Sequence, residues 1–501
     1  MMTAARAQEL AWAESVIKPE EIDKYLDSAG RDFIDDDLIY RQLADAHNPD
    51  PQRVRDILDK SRAMQTLDPS ETATLLQVED PDLLDEMRQT GLEIKLSAYD
   101  NRIVTFAPLY MSNHCINSCT YCGFRQENHE MERVRLTPEE IRRETRSLTG
   151  TFGHKRLIVV YGEHPKSDID YLEESIDAVY GVRVPTRKGH ANIRRVNVNA
   201  APLDIASLRR LKNVGLGTFQ VFQETYHRDT YRRVHGHKSL KADYKWRLYC
   251  MHRAQDAEVD DVGIGVLFGL YDWKFEVMGL VNHTRELEKT WRGIGPHTIS
   301  FPRLEAAHNA PGTRNSPYAV SDADFLKLIT VLRLSVPYTG MICTARETAA
   351  VRNEAVRRGI TQMDASTRIG LGAYSSTYDE QEEARQQFML GDPRSVDELV
   401  YDLADMGYIT SFCTAGYRIG RTGERIMRLL RSCHEGDFCK LNAILTFREW
   451  LDDFATPATK EKGEMLIRRE LATAAARTPK LHKKFSDYYE RTIHGARDLY
   501  L

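Results

Sequence analysis

Hydrophobic and polar residues follow three successive patterns along the chain. Up to about residue 95, apolar residues recur at helical spacing, as at Val54, Ile57 and Leu58, without strand-like alternation. From about residue 96 to 375, short apolar runs of strand length alternate with longer amphipathic segments, and from residue 376 this alternation ends. We therefore predict a helical N-terminal extension over residues 1–95, a central domain over 96–375 and a mainly helical C-terminal domain over 376–501.

The central domain contains eight predicted strands, each followed by a predicted helix. Strand–helix units of this size predict parallel pairing with right-handed crossovers. Eight of them favour an α/β fold of the (β/α)8 TIM-barrel type, and an open doubly wound sheet is the alternative. The predicted strands are Ile103–Tyr110, Arg156–Tyr161, Val196–Ala200, Thr218–Gln223, Val262–Phe268, His297–Pro302, Gly340–Ala345 and Thr361–Ser366.

Capping residues predict where four of the helices begin. Thr137-Pro-Glu-Glu140 is a capping box with proline at the first helical position. Ser395-Val-Asp-Glu398 and Thr446-Phe-Arg-Glu449 fit the same capping pattern, and Ser70 is a candidate N-cap for the segment that follows it.

Composition and charge narrow the class of protein. The chain has 501 residues, of which 42% are hydrophobic and 29% charged, and its formal net charge is −5. This charge gives no general attraction to nucleic acid or to an anionic membrane, and the longest apolar runs are too short to span one. Three of the eight cysteines fall within eight residues, which is not the pattern of a secreted disulfide framework. We therefore expect a cytoplasmic protein that binds neither nucleic acid nor a membrane.

The strongest chemical signal is the segment Cys115-Ile-Asn-Ser-Cys119-Thr-Tyr-Cys122. Three cysteine thiolates leave one iron of a 4Fe–4S cluster without a protein ligand. S-adenosylmethionine (SAM) can chelate that iron through its amino and carboxylate groups. Three unrelated buried cysteines or a zinc site are the alternatives, but zinc needs a fourth ligand and favours paired C-x2-C spacing.

Polar and small residues follow several predicted strands, where a (β/α)8 barrel carries its chemistry. A glycine and a carboxylate suit the amino-acid part of SAM, asparagine suits a ribose, and small strand residues let an adenine pack against the backbone. Taken singly, each of these residues is as compatible with ordinary packing inside the barrel as with SAM binding. We predict that these residues form one SAM site together with the cysteine loop and its aromatic residue Tyr121. They are Gly162, Glu163, Asn199, Glu224, Gly263 and Gly265.

Two arginines at predicted strand ends are candidates for binding a substrate carboxylate. Arg303 follows the sixth predicted strand and Arg346 the seventh, so both can reach the same mouth of the barrel. His297 and Ser300, in the sixth strand, are further candidate catalytic residues. The alternative for the arginines is a structural salt bridge with a nearby acid.

Long sequence strings resemble the radical SAM tyrosine lyases, in particular the di-iron hydrogenase maturase that makes carbon monoxide and cyanide, and the 2-iminoacetate synthases. The resemblance implies cleavage of the Cα–Cβ bond of L-tyrosine to p-cresol and dehydroglycine (2-iminoacetate), with a 4Fe–4S cluster, SAM and an electron donor such as ferredoxin or flavodoxin. Besides the cysteine motif, the strings are Gly162-Glu163-His164-Pro165, Arg195-Val-Asn-Val-Asn199, Phe222-Gln-Glu-Thr-Tyr-His227, Asp261-Val-Gly-Ile-Gly-Val-Leu-Phe-Gly-Leu-Tyr271, Gly295-Pro-His-Thr-Ile-Ser300 and Val336-Pro-Tyr-Thr-Gly-Met341.

The C-terminal domain resembles the maturase's auxiliary-cluster region but departs from it at one ligand. That family pattern is C-x2-C followed by a distant third cysteine, and here Cys413 and Cys439 occupy the outer positions while Gly416 stands in the middle. Glycine has no donor atom, so the three-cysteine site cannot form as in the family, unless Cys433 supplies the missing ligand. The open alternatives are a lyase for another amino acid such as tryptophan, a full maturase with a rebuilt auxiliary cluster, and a non-catalytic cluster carrier.

Overall fold

A closed barrel of eight parallel strands forms the centre of the molecule. The computed structural model describes residues 4–237, 239–376, 386–433, 435–477 and 479–501. The strands are β1 (Arg102–Ser112), β2 (Arg156–Tyr161), β3 (Arg183–Pro185), β4 (His190–Asn192), β5 (Arg195–Asn199), β6 (Leu216–Gln220), β7 (Val262–Gly265), β8 (Thr298–Ser300), β9 (Gly340–Cys343), β10 (Gln362–Asp364) and β11 (Ile409–Ser411). Strands β1, β2 and β5–β10 follow one another around the barrel, and β1 pairs with both β2 and β10. The predicted (β/α)8 fold is confirmed.

All eight predicted strands are present, although several end earlier than predicted. β7 was predicted to continue to Phe268 but ends at Gly265, because Val266 and Phe268 each form only an isolated bridge, to Glu224 and Arg303. Two features were not predicted. A short antiparallel hairpin, β3–β4, precedes β5, and β11 from the C-terminal region pairs in parallel with the start of β1.

Helices surround the barrel and make up both ends of the chain. They are α1 (Ala4–Val16), α2 (Glu20–Asp23), α3 (Asp36–Asp45), α4 (Pro51–Arg62), α5 (Pro69–Leu76), α6 (Pro81–Tyr99), α7 (Pro138–Gly150), α8 (Ile169–Tyr180), α9 (Ile205–Asn213), α10 (Arg228–His235), α11 (Tyr244–Leu248), α12 (Cys250–Asp256), α13 (Trp273–Thr290), α14 (Asp322–Ser335), α15 (Ala349–Val356), α16 (Val396–Asp405), α17 (Ala415–Arg418), α18 (Gly423–Arg431), α19 (Glu435–Asp453), α20 (Pro457–Arg477) and α21 (Pro479–Ile493).

Two of the predicted helix starts are confirmed and two are wrong. Thr137 and Ser395 form capping boxes at the starts of α7 and α16. The N-cap of α5 is Asp68 rather than Ser70, because Pro69 already occupies the first turn and Asp68 forms the capping box with Glu71. Thr446 lies inside α19, where its hydroxyl donates to the carbonyl of Asn442.

The N-terminal helices pack against the outer helices of the barrel. Val54, Ile57 and Leu58 are buried in the main hydrophobic core, as their spacing predicted. The amide of Leu67 donates to the carbonyl of Ser335, at the end of α14. The limits of the three predicted domains remain predictions, and residues 377–385 of the C-terminal domain lie outside the described residues. Among the helices described here, none is both long and apolar enough to cross a membrane.

Candidate active site

The three cysteines of the motif line one cavity at the carboxyl-terminal mouth of the barrel. The cavity has a volume of about 210 Å³. Cys115 lies three residues after the end of β1, and residues from the ends of β2, β5, β8 and β9 contribute to the walls. The predicted site residues Tyr121, Gly162, Glu163, Asn199, Glu224, Ser300 and Arg346 all line this cavity.

Arg133 fixes the path of the cysteine loop. One terminal nitrogen of its guanidinium donates to the carbonyls of Asn113 and Phe124, at 2.8 Å each. The other donates to the carbonyls of Arg125 and Asn128, at 2.6 and 3.2 Å. Because these carbonyls flank the motif on both sides, one planar cation holds the loop ends together.

The thiols are suited to binding iron in a protected environment. Burial raises the pKa of Cys115 and of Cys119 to about 11, and it also raises the pKa of Cys122. The thiols are therefore protonated without iron, and cluster assembly has to release their protons. Within the described part of the chain, no three His, Cys, Asp or Glu side chains converge on a single metal ion. Three thiolates that each bind a different iron of a larger cluster do not need such convergence, so the residues fit the cluster.

Glu163 is connected to the cysteine loop through Asn117. The side-chain amide of Asn117 donates to the Glu163 carboxylate, and its oxygen accepts from the Ser239 hydroxyl at 2.7 Å and the Lys241 amide at 3.0 Å. Burial raises the pKa of Glu163 despite the opposing effects of Arg247, Asn117 and Lys241. A ligand ammonium next to Glu163 would favour the charged carboxylate.

Glu224 has two cationic partners that were not predicted from the sequence. Its carboxylate accepts from the Lys241 ammonium at 2.7 Å and lies 3.7 Å from the Arg247 guanidinium, while only 13% of its side chain is exposed. Burial alone would raise the pKa of Glu224, but Lys241 and Arg247 outweigh it and hold the pKa below its usual value. Glu224 has a φ of 70°, a left-handed conformation that few non-glycine residues adopt.

Three further predicted site residues lie on the cavity wall, namely Tyr121, Asn199 and Ser300. The hydroxyl of Tyr121 shares a 2.7 Å hydrogen bond with Nε2 of His235, and both side chains are buried. Asn199 ends β5 and Ser300 ends β8, so both face the mouth at which the cysteines lie. Their predicted roles remain predictions.

The three predicted glycines are explained by packing within the protein. A Cβ at Gly162 would collide with the carbonyl of His114, so this glycine lets the cysteine loop cross the end of β2. A Cβ at Gly263 would lie 2.6 Å from the Gln220 side chain, and one at Gly265 would lie 2.6 Å from the Phe222 ring. Gly263 and Gly265 are not on the cavity wall, and the space beside them is filled by side chains rather than open for an adenine.

The two candidate arginines have different environments. Arg346 lines the cavity with its guanidinium 3.3 Å from the centre of the Phe388 ring, and no carboxylate in the described residues forms an ion pair with it. Burial lowers the pKa of Arg346. Thr344, two residues earlier on the same face of the chain, has a buried hydroxyl without a hydrogen-bond partner among the described residues.

Arg303 is part of a structural ion-pair network. Its guanidinium pairs with Glu347, which is buried, and lies 2.8 Å from the Asp322 carboxylate. A third bond goes to the carbonyl of Val320, at 2.9 Å. Arg303 does not line the cysteine cavity, which favours the structural alternative for it, and its contact with substrate stays a prediction.

His297 lies at the opposite end of the barrel from the cysteines. β8 begins at Thr298, one residue after it, so His297 marks the amino end of the strand rather than the mouth. Its Nε2 lies 2.9 Å from the Tyr417 hydroxyl, and the Tyr417 ring packs against Arg195 at 3.4 Å. His297 and Ser300 therefore lie at opposite ends of the same strand, and the catalytic role of His297 stays a prediction.

The predicted auxiliary region holds its two cysteines at the start of α17 and within α19. Cys439 is buried and Cys413 partly buried, whereas Cys433 is exposed at the turn after α18. No third His, Cys, Asp or Glu in the described residues joins them in a metal-binding group. A Cβ at Gly416 would meet nothing closer than Arg421, at 3.8 Å, so a cysteine side chain would fit there.

Comparison with known proteins places the chain in one family. Residues 109–278 match the model of the Radical SAM superfamily, and residues 300–409 match that of the Biotin and Thiamin Synthesis associated domain. The crystal structure of HydG, a maturase of the FeFe-hydrogenase, shares 43% identity with a TM-score of 0.88, covering 94% of this chain and 100% of the HydG chain. This chain belongs to the HydG family of radical SAM enzymes.

Two other relatives support the same assignment. HydG from Carboxydothermus hydrogenoformans is 36% identical with a TM-score of 0.73, covering 92% of this chain and 98% of that one. The 2-iminoacetate synthase of Escherichia coli (strain K12) is 28% identical over 346 residues, which is 68% of this chain and 86% of the relative. As a radical SAM enzyme of the HydG family, this chain uses a 4Fe–4S cluster and SAM.

Proposed function

We propose that this HydG-family enzyme cleaves the Cα–Cβ bond of L-tyrosine to p-cresol and dehydroglycine. The observation that carries the substrate class is Arg346, a partly buried cation that faces the cysteine cavity without an ion-pair partner among the described residues. A buried guanidinium is stabilised by an anion, and a planar carboxylate suits its paired donors. An amino acid bound beside the cluster site supplies that carboxylate.

The cofactor is held by residues from separate strand ends. Cys115, Cys119 and Cys122 bind three irons of the cluster, and Glu163 accepts from the ammonium of SAM. When bound there, the cluster and SAM would supply a one-electron reductive cleavage of SAM as the source of the radical. Asn199 and Glu224 are the proposed partners of the SAM ribose and of its other polar groups, and Asn117 and Lys241 hold the two carboxylates in place.

The substrate lies on the opposite side of the same cavity. Arg346 holds its carboxylate, the hydroxyl of Thr344 offers a further donor, and Ser300 lies on the neighbouring strand. Phe106, Leu267, Ile342 and other apolar side chains of the cavity wall exclude water from a radical that would react with solvent or oxygen. An oxygen-sensitive cluster also favours a reducing cytoplasm and an electron donor of the ferredoxin or flavodoxin type.

The glycine at position 416 favours an enzyme that cleaves tyrosine but does not convert dehydroglycine further, as hydrogenase maturation requires. The family's auxiliary cluster needs three cysteines, and two thiolates hold such a cluster poorly. We therefore propose that this chain releases dehydroglycine rather than converting it to carbon monoxide and cyanide. A full maturase with a ligand from Cys433 is the second candidate, a tryptophan lyase the third, and a cluster carrier without activity the last.

A panel of amino acids tests the proposal. The protein is reconstituted with iron and sulfide under anaerobic conditions and incubated with SAM, reductant and either tyrosine, phenylalanine or tryptophan. Tyrosine should increase 5′-deoxyadenosine formation far above the rate without amino acid. Cys119→Ala, which removes one cluster ligand, is the control and should give none. Stimulation of 5′-deoxyadenosine formation by tryptophan alone favours the tryptophan lyase. If no amino acid stimulates it, the cluster carrier without activity is favoured.

A further inference from the structure

One side chain from outside the motif contacts a cluster-binding sulfur. The side-chain amide nitrogen of Gln387 donates to Sγ of Cys122 at 3.4 Å. The amide oxygen of the same side chain accepts from the hydroxyl of Tyr110, on β1, at 2.9 Å. Gln387 therefore bridges a barrel strand and the third cysteine of the loop.

The orientation of the amide follows from its two partners. Sγ of Cys122 is an acceptor once iron has displaced the thiol proton, so the nitrogen of Gln387 has to face it. The Tyr110 hydroxyl can then donate to the amide oxygen. Burial raises the pKa of Tyr110 beyond the physiological range, so its proton stays available for this bond.

The backbone holds Gln387 against the loop independently of its side chain. Its carbonyl accepts from the amide of Gly123, the residue after Cys122, at 3.2 Å. A Cβ on Gly123 would lie 2.8 Å from the carbonyl of Gln386, so glycine is required for this close approach. A substitution at Gln387 can therefore remove the donor while the segment stays in position.

We propose that Gln387 is a positioning residue that raises the reduction potential of the 4Fe–4S cluster through its N–H···S bond to Cys122. Reduction adds negative charge to the cluster and its sulfurs, and a donor aimed at one of those sulfurs stabilises the reduced form more than the oxidised form. The inference rests on the cluster and not on the identity of the amino-acid substrate, so it stands or falls separately from tyrosine cleavage.

The test is a redox titration of the reconstituted protein, followed by the electron paramagnetic resonance signal of the reduced cluster. Gln387→Leu removes the donor at similar volume. We expect the ratio of reduced to oxidised cluster at a fixed potential to fall about tenfold, which is about 59 mV for a one-electron couple. Gln386→Leu is the matched control, because the amide nitrogen of Gln386 has no hydrogen-bond partner among the described residues. The midpoint potential of the cluster in Gln386→Leu should equal that in the parent.

A second variant keeps the test decisive if Gln387→Leu assembles no cluster. Tyr110→Phe retains Gln387 but removes the bond that orients its amide, and its midpoint should fall by a smaller amount in the same direction. The proposal is overturned if the midpoint of Tyr110→Phe and that of any cluster-bearing Gln387→Leu protein equal the parent's. An equal fall in Gln386→Leu would also overturn it, because the effect would then follow from general loosening of the segment.

Discussion

Lys241 donates to the Glu224 carboxylate at 2.7 Å inside the cavity that contains the three cysteines. The two residues are separated by helix α10, and the loop after that helix returns the chain to the barrel mouth. The pair keeps a carboxylate charged in a place where burial alone would neutralise it. Glu224 can then accept hydrogen bonds from a ligand at neutral pH, which connects the fold to the proposed SAM site.

Removing the Lys241 ammonium should weaken SAM binding and make it depend on pH. In Lys241→Met, burial of Glu224 is opposed mainly by Arg247, so the pKa of Glu224 rises. We expect SAM affinity to fall by roughly 1.5–3 kcal/mol near neutral pH and to recover as the pH increases. Equilibrium dialysis with labelled SAM from pH 6 to 9 measures this. Lys245→Met is the control, since Lys245 donates to the carbonyl of Gly30 outside the cavity. A parallel loss in both variants, or a loss without pH dependence, contradicts the account.

Replacing Arg346 should impair substrate binding and leave SAM binding intact. Loss of one charge-assisted contact weakens tyrosine binding by roughly 1.5–3 kcal/mol. The measurement is the tyrosine concentration that half-saturates 5′-deoxyadenosine formation in Arg346→Ala. Arg303→Ala is the matched comparison, because it leaves the buried Glu347 without its cation and should lower thermal stability instead. If the two variants have the same tyrosine dependence as the parent, Arg346 is structural as well.

A single substitution should restore the missing auxiliary ligand. Gly416→Cys introduces a thiol where the nearest atoms are 3.8 Å from the added Cβ, and the backbone there is not in a left-handed conformation. We expect about four iron atoms per chain in the reconstituted parent and up to about eight in the variant. Gly416→Ala should match the parent. A parent that already binds two clusters, one of which disappears in Cys433→Ala, would show instead that Cys433 completes the site.

The sequence was most informative where function depends on neighbours in the chain. The three cysteines lie within eight residues and follow a strand, so their chemistry and their place at the barrel mouth could be predicted together. The sequence could not identify Lys241 and Arg247 as partners of Glu224. A helix and an irregular loop separate both cations from Glu224 in the chain, and each has the sequence context of an ordinary surface cation. Asn117 lies between two motif cysteines, and that position of an amide was a sequence signal that could have been used, whereas its burial is known only from the structure.

The errors arose where strand limits or side-chain partners decide the outcome. His297 is the first residue of the predicted sixth strand, so the strand limits already placed it at the amino end of the barrel, although it was grouped with the residues that end the strand. Arg303 was treated like Arg346, although Glu347 directly after Arg346 was available as its partner. Gly263 and Gly265 face neighbouring side chains, Gln220 and Phe222, whose direction only the closed barrel determines.

Stability at alkaline pH should depend on the buried Glu276. Its carboxylate accepts from the Thr225 hydroxyl and the Tyr226 amide, and burial raises its pKa to about 8. A carboxyl whose pKa is raised in the folded state is most favourable below its unfolded pKa, and its contribution is lost as the pH rises through 8. The stability advantage of Glu276→Gln over the parent should therefore grow between pH 6 and pH 9, by roughly 2–3 kcal/mol. Thermal unfolding of both proteins at pH 6 and pH 9 measures the difference in stability between them. The same difference at both pH values would contradict the prediction.

The most direct test of the account follows the two carbons of the bond that is broken. Tyrosine labelled with ¹³C at Cα and Cβ is incubated anaerobically with the reconstituted protein, SAM and reductant, and the products are analysed by mass spectrometry. The account predicts one labelled carbon in p-cresol and the other in glyoxylate from hydrolysis of dehydroglycine. It also predicts no labelled cyanide, which would contain the Cα carbon of tyrosine together with its nitrogen. Formation of 5′-deoxyadenosine in the presence of tyrosine without any labelled p-cresol would contradict the central claim.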